Sequence, residues 1–353
     1  MMPSPKRWLF SAPIDVAVFG GTALLAFALV WLGPSGDDTP EWSWLVAILL
    51  VDVAHVWSTA FVVYLDPAEW RRRPLLYVGV PIACFAVAFG LYACGEDVFW
   101  RVIAYLAVFH FIRQQYGWVM LYRARNHERD RIGRWLDGAT VYIATLYPLI
   151  WWHASLPRGY WWMTENDFVA GLPQVVVPIA YVVYVLLLAT YAVRAVLQLV
   201  RGQSVSWGKH LVVGATAACW YNGIIAHNTD YDFMVSNVFT HGVPYMVLVF
   251  MYARGAAREP ESRDGTAALL LRGKLLRAVV VFAASVWLAA YIEEMLWDRS
   301  LWHDRSWLFG SGADAGRAAL VIAPLLAVPQ LTHYVLDAFL WRRRTNPRLG
   351  RLL

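Results

Sequence analysis

Four histidines fall inside apolar stretches long enough to cross a membrane: His55, His110, His241 and His333. An imidazole can bind a metal or carry a proton near neutral pH. Ionisable groups are rare inside membrane segments and mark functional positions by default. Each of the four has polar company within one helical turn. Asp52 precedes His55 by three. Gln114 follows His110 by four, with Arg113 and Gln115 beside it. Asn237 precedes His241 by four, with Thr240 adjacent, and Gln330 and Asp337 flank His333. Residues three or four apart share a helix face. A carboxylate or amide placed there can hold the second ring nitrogen, as it does for metal-binding histidines.

Packing alone explains a lone histidine bonded to a neighbour's backbone. It explains this set less well. Interhelical hydrogen bonds in membranes contribute about 0.6–2 kcal/mol each. An Asp at a helix centre costs about 2.5–3.5 kcal/mol to insert, so Asp52 is a poor choice as glue.

Three readings follow. In the first, His55, His110, His241 and His333 are ligands of a metal ion, with Fe(II) the expected ion, since imidazole suits iron, copper and zinc. Asp52 is then an orienting partner or an oxygen ligand. Arg113, Gln114 and Asn237 are the expected substrate-binding groups, Arg113 holding a polar head group or snorkelling to the headgroups. His227 and Asp230 guard the outer mouth or shuttle protons. Such a site needs the four ring nitrogens to converge to within about 4–5 Å of one point. In the second reading Asp52, His55 and Asp230 form the relay of a proton-coupled transporter, with breaks at Gly223 and Gly242–Pro244 making discontinuous helices. In the third the polar residues only fix helix packing in a non-catalytic membrane partner.

The elements that must position these residues are helices in a bilayer. The chain has 353 residues, 59% hydrophobic and 16% charged, against about 25% charged in a soluble domain. A span takes roughly 20 apolar residues, and ten stretches qualify: 13–33, 43–65, 75–94, 98–122, 136–152, 173–200, 208–227, 233–253, 274–296 and 318–341. Basic clusters at Lys6/Arg7, Arg71–Arg73, Arg123–Arg134, Arg201/Lys209, Arg254–Lys274 and Arg342–Arg344 alternate with acidic or mixed loops. Those loops carry Asp37/Asp38, Glu96/Asp97, Glu165/Asp167, Asp230/Asp232 and Glu293–Asp314. The positive-inside rule then places both termini in the cytoplasm. The expected fold is an all-α, polytopic bundle of ten membrane helices forming a single membrane domain.

In that bundle the four histidines lie roughly 12–23 Å below the outer helix ends, at ~1.5 Å per residue. Residues 254–272 read as a mobile, charged cytoplasmic linker, and 151–172 as a Trp-rich loop at the outer interface, where tryptophan is enriched. The net charge of +5 is spread over the loops as topology charge and is no nucleic-acid signal. Cys84, Cys94 and Cys219 form no metal or disulfide motif. The expected partners are the lipid bilayer and an apolar, lipid-like small molecule.

Phe109-His110-Phe111, His241-Gly242 and the intramembrane His55 and His333 resemble the bacterial Brp/Blh-type carotene-cleaving dioxygenases. These are polytopic proteins in which histidines from several helices hold a non-haem iron. His110 and His241 match in local context and His55 and His333 by depth. The resemblance implies iron, dioxygen and an apolar polyene or lipid substrate entering from the bilayer. The HxxxH and HxxHH boxes of membrane desaturases are absent, which disfavours a di-iron site of that type.

Overall fold

A computed structural model describes residues 8–34, 39–157, 164, 167–227, 229–342, 344 and 346–352. Lys6/Arg7, Asp37/Asp38, Glu165, Asn228, Arg343 and positions 158–163 of the Trp-rich loop lie outside the described residues. Those described are helical apart from turns and loops, with no extended strand among them. Ten long helices follow one another: α1 Ala12–Leu32, α2 Glu41–Phe61, α3 Pro74–Ala93, α4 Glu96–Arg125, α5 Arg131–Ser155, α6 Val176–Val200, α7 Trp207–Tyr221, α8 Asp230–Ala256, α9 Leu275–Trp302 and α10 Gly316–Leu340.

Seven of them, α1, α2, α3, α6, α8, α9 and α10, are long and apolar enough to cross a membrane. The other three expected spans are helices too, but polar residues dilute them. His110, Arg113, Gln114 and Gln115 interrupt α4, Arg134 and Asp137 open α5, and Lys209 and His210 open α7. These helices differ in how much of their apolar length the rest of the chain covers. Only 17% of the apolar window of α3 and of α6 is buried, against 78% of that of α8. Val182, Leu186, Val193 and Val196 on α6 are exposed, as suits a helix that is long and apolar enough to cross a membrane.

The chain divides into two compact units, 1–43 with 104–244 (and residue 353), and 44–103 with 245–352. In the first, α5 packs along α6 and α7. Asp130 caps α5 through the Gly133 amide at 2.8 Å, satisfying one of the amides a helix start leaves open. Gly133 has no room for a side chain: an added Cβ would lie 2.0 Å from Asp130 Oδ2 and 2.1 Å from Arg194 Nη2. Near the same end, Arg123 binds Glu128, Asp130 and Asp137, and Lys209 binds Glu128 and Asp137. Lys209, counted among the basic topology charges at the start of the expected span 208–227, is 1% exposed.

Residues 151–155, expected in the outer loop, instead complete α5. Trp152 is fully buried against Phe168 and Phe233, with ring centroids 4.3 and 5.6 Å away. An indole that finds aromatic partners gains more from packing than from a headgroup position.

In the second unit α10 packs on α3 and α9 packs on α2. Trp57 Nε1 donates to Glu293 Oε2 at 2.5 Å. The segment 254–272, expected to be mobile, carries a short helix at Thr266–Leu271. It is tied down by Ser262 Oγ to Asp66 and by Arg348 to Asp66 and Glu259.

Candidate metal centre

The histidine on α2 follows an unusual stretch. Trp44–Val53 winds as a π-helix, Ala54–Ser58 as α and Thr59–Phe61 as 3-10. Such π segments are rare and recur at functional sites. His55 sits just past the change of winding, 2% exposed. Asp52 Oδ1 lies 3.6 Å from His55 Nδ1, so the expected partner is in place at a distance slightly beyond a hydrogen bond. That carboxylate oxygen is buried and has no hydrogen-bond partner among the described residues.

α10 supplies His333. The helix is interrupted at Ala327, and Pro329 opens its second half, Val328–Leu340. The His333 and His55 rings are 4.8 Å apart and nearly perpendicular at 84°. His333 Nδ1 is 2.8 Å from Thr59 Oγ1, and Asp337 Oδ1 is 3.8 Å from the same nitrogen. Gln330, the other expected partner, turns away and donates to Tyr334 at 2.6 Å.

Tyr245, on α8, adds to this pair. Its ring lies 4.9 Å from His333 and 5.7 Å from His55, edge-on to both. Its hydroxyl donates to Asp337 Oδ1 at 2.5 Å and lies 3.1 Å from Thr59 Oγ1. Trp341 Nε1 donates to the same carboxylate oxygen at 3.2 Å. Neither Thr59 nor Tyr245 stands out in the sequence, yet both obey a rule that was available. Thr59 is four residues after His55, Tyr245 four after His241, Asp337 four after His333 and Gln114 four after His110.

A second pair forms in the other unit. His110 on α4 and His241 on α8 have ring centroids 5.1 Å apart at 82°. Phe111 stacks on the His241 ring. Gln114 Nε2 donates to the backbone carbonyl of His241 at 2.8 Å, holding the main chain under that histidine rather than the ring of His110. α8 runs unbroken through Gly242 and Pro244. The expected discontinuity falls only at Gly223, inside the π-turn Asn222–Ala226, where a Cβ would meet Ser236 Cβ at 2.5 Å.

One ring nitrogen from each of His55, His110, His241 and His333 can be chosen so that all four lie within 4.8 Å of one another, and all four residues are buried. A group of four imidazoles like this could hold a metal ion.

The remaining candidate residues make contacts of their own. Arg113 donates to the Tyr142 hydroxyl and lies over the Tyr116 ring at 4.9 Å, so its charge is held by two aromatic groups. Asn237 Nδ2 bonds back to the Phe233 carbonyl at 2.9 Å, not to His241. His227 Nδ1 is 3.5 Å from Asp232 Oδ2, and Asp230 Oδ2 accepts from Thr39 at 3.4 Å. These two lie at helix ends outside the four-histidine group. Compared with known proteins, the chain matches no family model, no curated sequence and no solved structure.

Proposed function

We propose that the protein is a membrane-embedded, histidine-ligated metal oxidoreductase or oxygenase that acts on a lipid-soluble substrate. The observation that supports it is the mutual 4.8 Å approach of four buried imidazole nitrogens. Four neutral imidazoles are a nitrogen-only donor set, which suits iron, copper or zinc and not calcium or magnesium. Non-haem Fe(II) is the ion that fits both this set and the resemblance to the carotene-cleaving dioxygenases. Bound there, iron would supply one-electron chemistry toward dioxygen. The chain's own part is to hold the four rings and admit an apolar molecule from the bilayer.

In this reading ten helices cross the cell membrane, with both termini in the cytoplasm. Asp52 orients His55. Arg113, Gln114 and Asn237 line the approach of the substrate, and His227 and Asp230 serve the outer mouth.

The test is elemental. The full-length protein, purified without added metal, is expected to carry a stoichiometric transition metal that is lost in His55→Ala, His110→Ala, His241→Ala and His333→Ala. A metal-free wild type that shows pH-dependent solute uptake in vesicles would replace this reading with an Asp/His proton relay. The buried, unpartnered Asp52 Oδ1 is the observation that favours that second reading. Variants indistinguishable from wild type in every assay would leave only helix packing.

A further inference from the structure

Three of the four histidines carry, four residues further along their helices, the members of one hydrogen-bonded row: Thr59 after His55, Tyr245 after His241 and Asp337 after His333. The row is continuous. His333 Nδ1 meets Thr59 Oγ1 at 2.8 Å, Thr59 Oγ1 meets Tyr245 OH at 3.1 Å, and Tyr245 OH donates to Asp337 Oδ1 at 2.5 Å. Trp341 Nε1 closes it, reaching Asp337 Oδ1 at 3.2 Å and Tyr245 OH at 3.3 Å. Thr59 is 4% exposed and Tyr245 1% exposed. Three helices, α2, α8 and α10, thus contribute one side chain each to a layer one turn away from the imidazoles.

With Asp337 as an ionised carboxylate that only accepts, proton counting gives the row a direction. Tyr245 has one hydroxyl proton and spends it on Asp337, so between Thr59 and Tyr245 the threonine is the donor. Thr59 also has one proton, so toward His333 it accepts. His333 Nδ1 therefore carries a hydrogen and gives it to Thr59. A neutral imidazole with its proton on one nitrogen has its lone pair on the other.

We infer that Thr59, Tyr245 and Asp337 are positioning residues that lock His333 in the Nδ1-protonated tautomer and dedicate its Nε2 to the metal. The inference rests on the four-histidine reading and assigns it a ligand atom and an orienting chain. Outer partners of ligating histidines typically contribute about 10–100-fold in metal affinity.

The experiment titrates Co(II) into the full-length, metal-free protein in lipid nanodiscs and follows the visible absorption of the bound ion. Thr59→Val keeps the shape and removes the hydroxyl; it is expected to weaken Co(II) binding about 10–100-fold and to shift the absorption bands. Thr59→Ser restores the hydroxyl and is expected to restore both affinity and spectrum. A purely structural role for Thr59 would move neither the spectrum nor its rescue by serine. If Thr59→Val does not fold, Tyr245→Phe reads the same chain with the ring retained.

Wild type and Thr59→Val (or, in its place, Tyr245→Phe) with equal affinity and identical spectra, while His333→Ala loses the ion, would overturn this inference and leave the site standing. A wild type that takes up no Co(II) would overturn both.

Discussion

Phe111 lies flat on His241, with ring centroids 3.7 Å and planes 18° apart. The neighbouring His110 meets the same imidazole edge-on at 5.1 Å. His241 is therefore held on one face by an apolar ring and presents its edge to a second histidine. Phe111→Leu is expected to keep the fold, since Leu fills much of the volume, and to release the ring. Isothermal titration with Co(II) should show weaker binding, by about tenfold if the outer contact behaves like other supports of ligating histidines. Unchanged affinity would mean that Gln114, which holds the His241 carbonyl, fixes the residue alone.

A bound ion stabilises whatever state binds it. At a free concentration of one hundred times Kd the gain is about 2.7 kcal/mol. Prolonged chelation should therefore lower the Tm of the wild type and leave that of His110→Ala where it is. Equal Tm values for chelated and untreated wild type would count against a resident metal.

The ion network of the first unit makes a separate forecast. Lys209 Nζ lies 2.5 Å from Glu128 and 2.9 Å from Asp137, and Asp137 is fully buried. Removing one member of a buried pair strands the other, at a cost of about 3–5 kcal/mol. Lys209→Met should be strongly destabilised in thermal unfolding. Lys209→Met combined with Asp137→Leu should recover little of the loss, because Asp137 also pairs with the buried Arg123 and with Arg194, and its removal takes a partner from both.

Asp130 gives that network a pH signature. Burial works to raise its carboxyl pKa, but the hydrogen bond and charge of Arg123, the charge of Arg194 and the Gly133 amide together hold it below the ordinary 3.8. A carboxylate with a depressed pKa contributes its stability fully above the unfolded value. It loses that contribution as pH falls through the lower, folded value. Asp130 is half exposed, at 50%, so solvent screening keeps the contribution small, within about 1 kcal/mol. The Tm gap between wild type and Asp130→Asn should be present at pH 6 and close below pH 3.8.

The four histidines were legible because ionisable groups interrupt apolar runs, and the helices around them because those runs have a length. Their partners were less legible. Amides were the obvious choice, yet Asn237 bonds back to its own helix at Phe233 and Gln330 turns to Tyr334. An amide in a membrane helix always has nearby competitors for its bonds. The hydroxyls that matter, on Thr59 and Tyr245, belong to residue types too common in this chain to be noticed singly, and only the shared four-residue offset gives them away. The burial of Lys209 was hidden for another reason: a lysine at the start of a span reads as topology charge until the fold brings Glu128 and Asp137 to it.

The π-wound stretch Trp44–Val53 carries a consequence for how this helix can change length. Deleting one residue from an ordinary α-helix rotates one flank against the other by about 100° and would throw a ligand off its face. A π-helix closes each hydrogen-bonded ring with one residue more than α winding needs. A single deletion between Trp44 and Val51 can therefore be taken up by rewinding to α, while Asp52 and His55 keep their spacing and their face. α2 holds a spare residue on the approach to its histidine, and this is the stretch of the chain where a homologue one residue shorter could keep the same site.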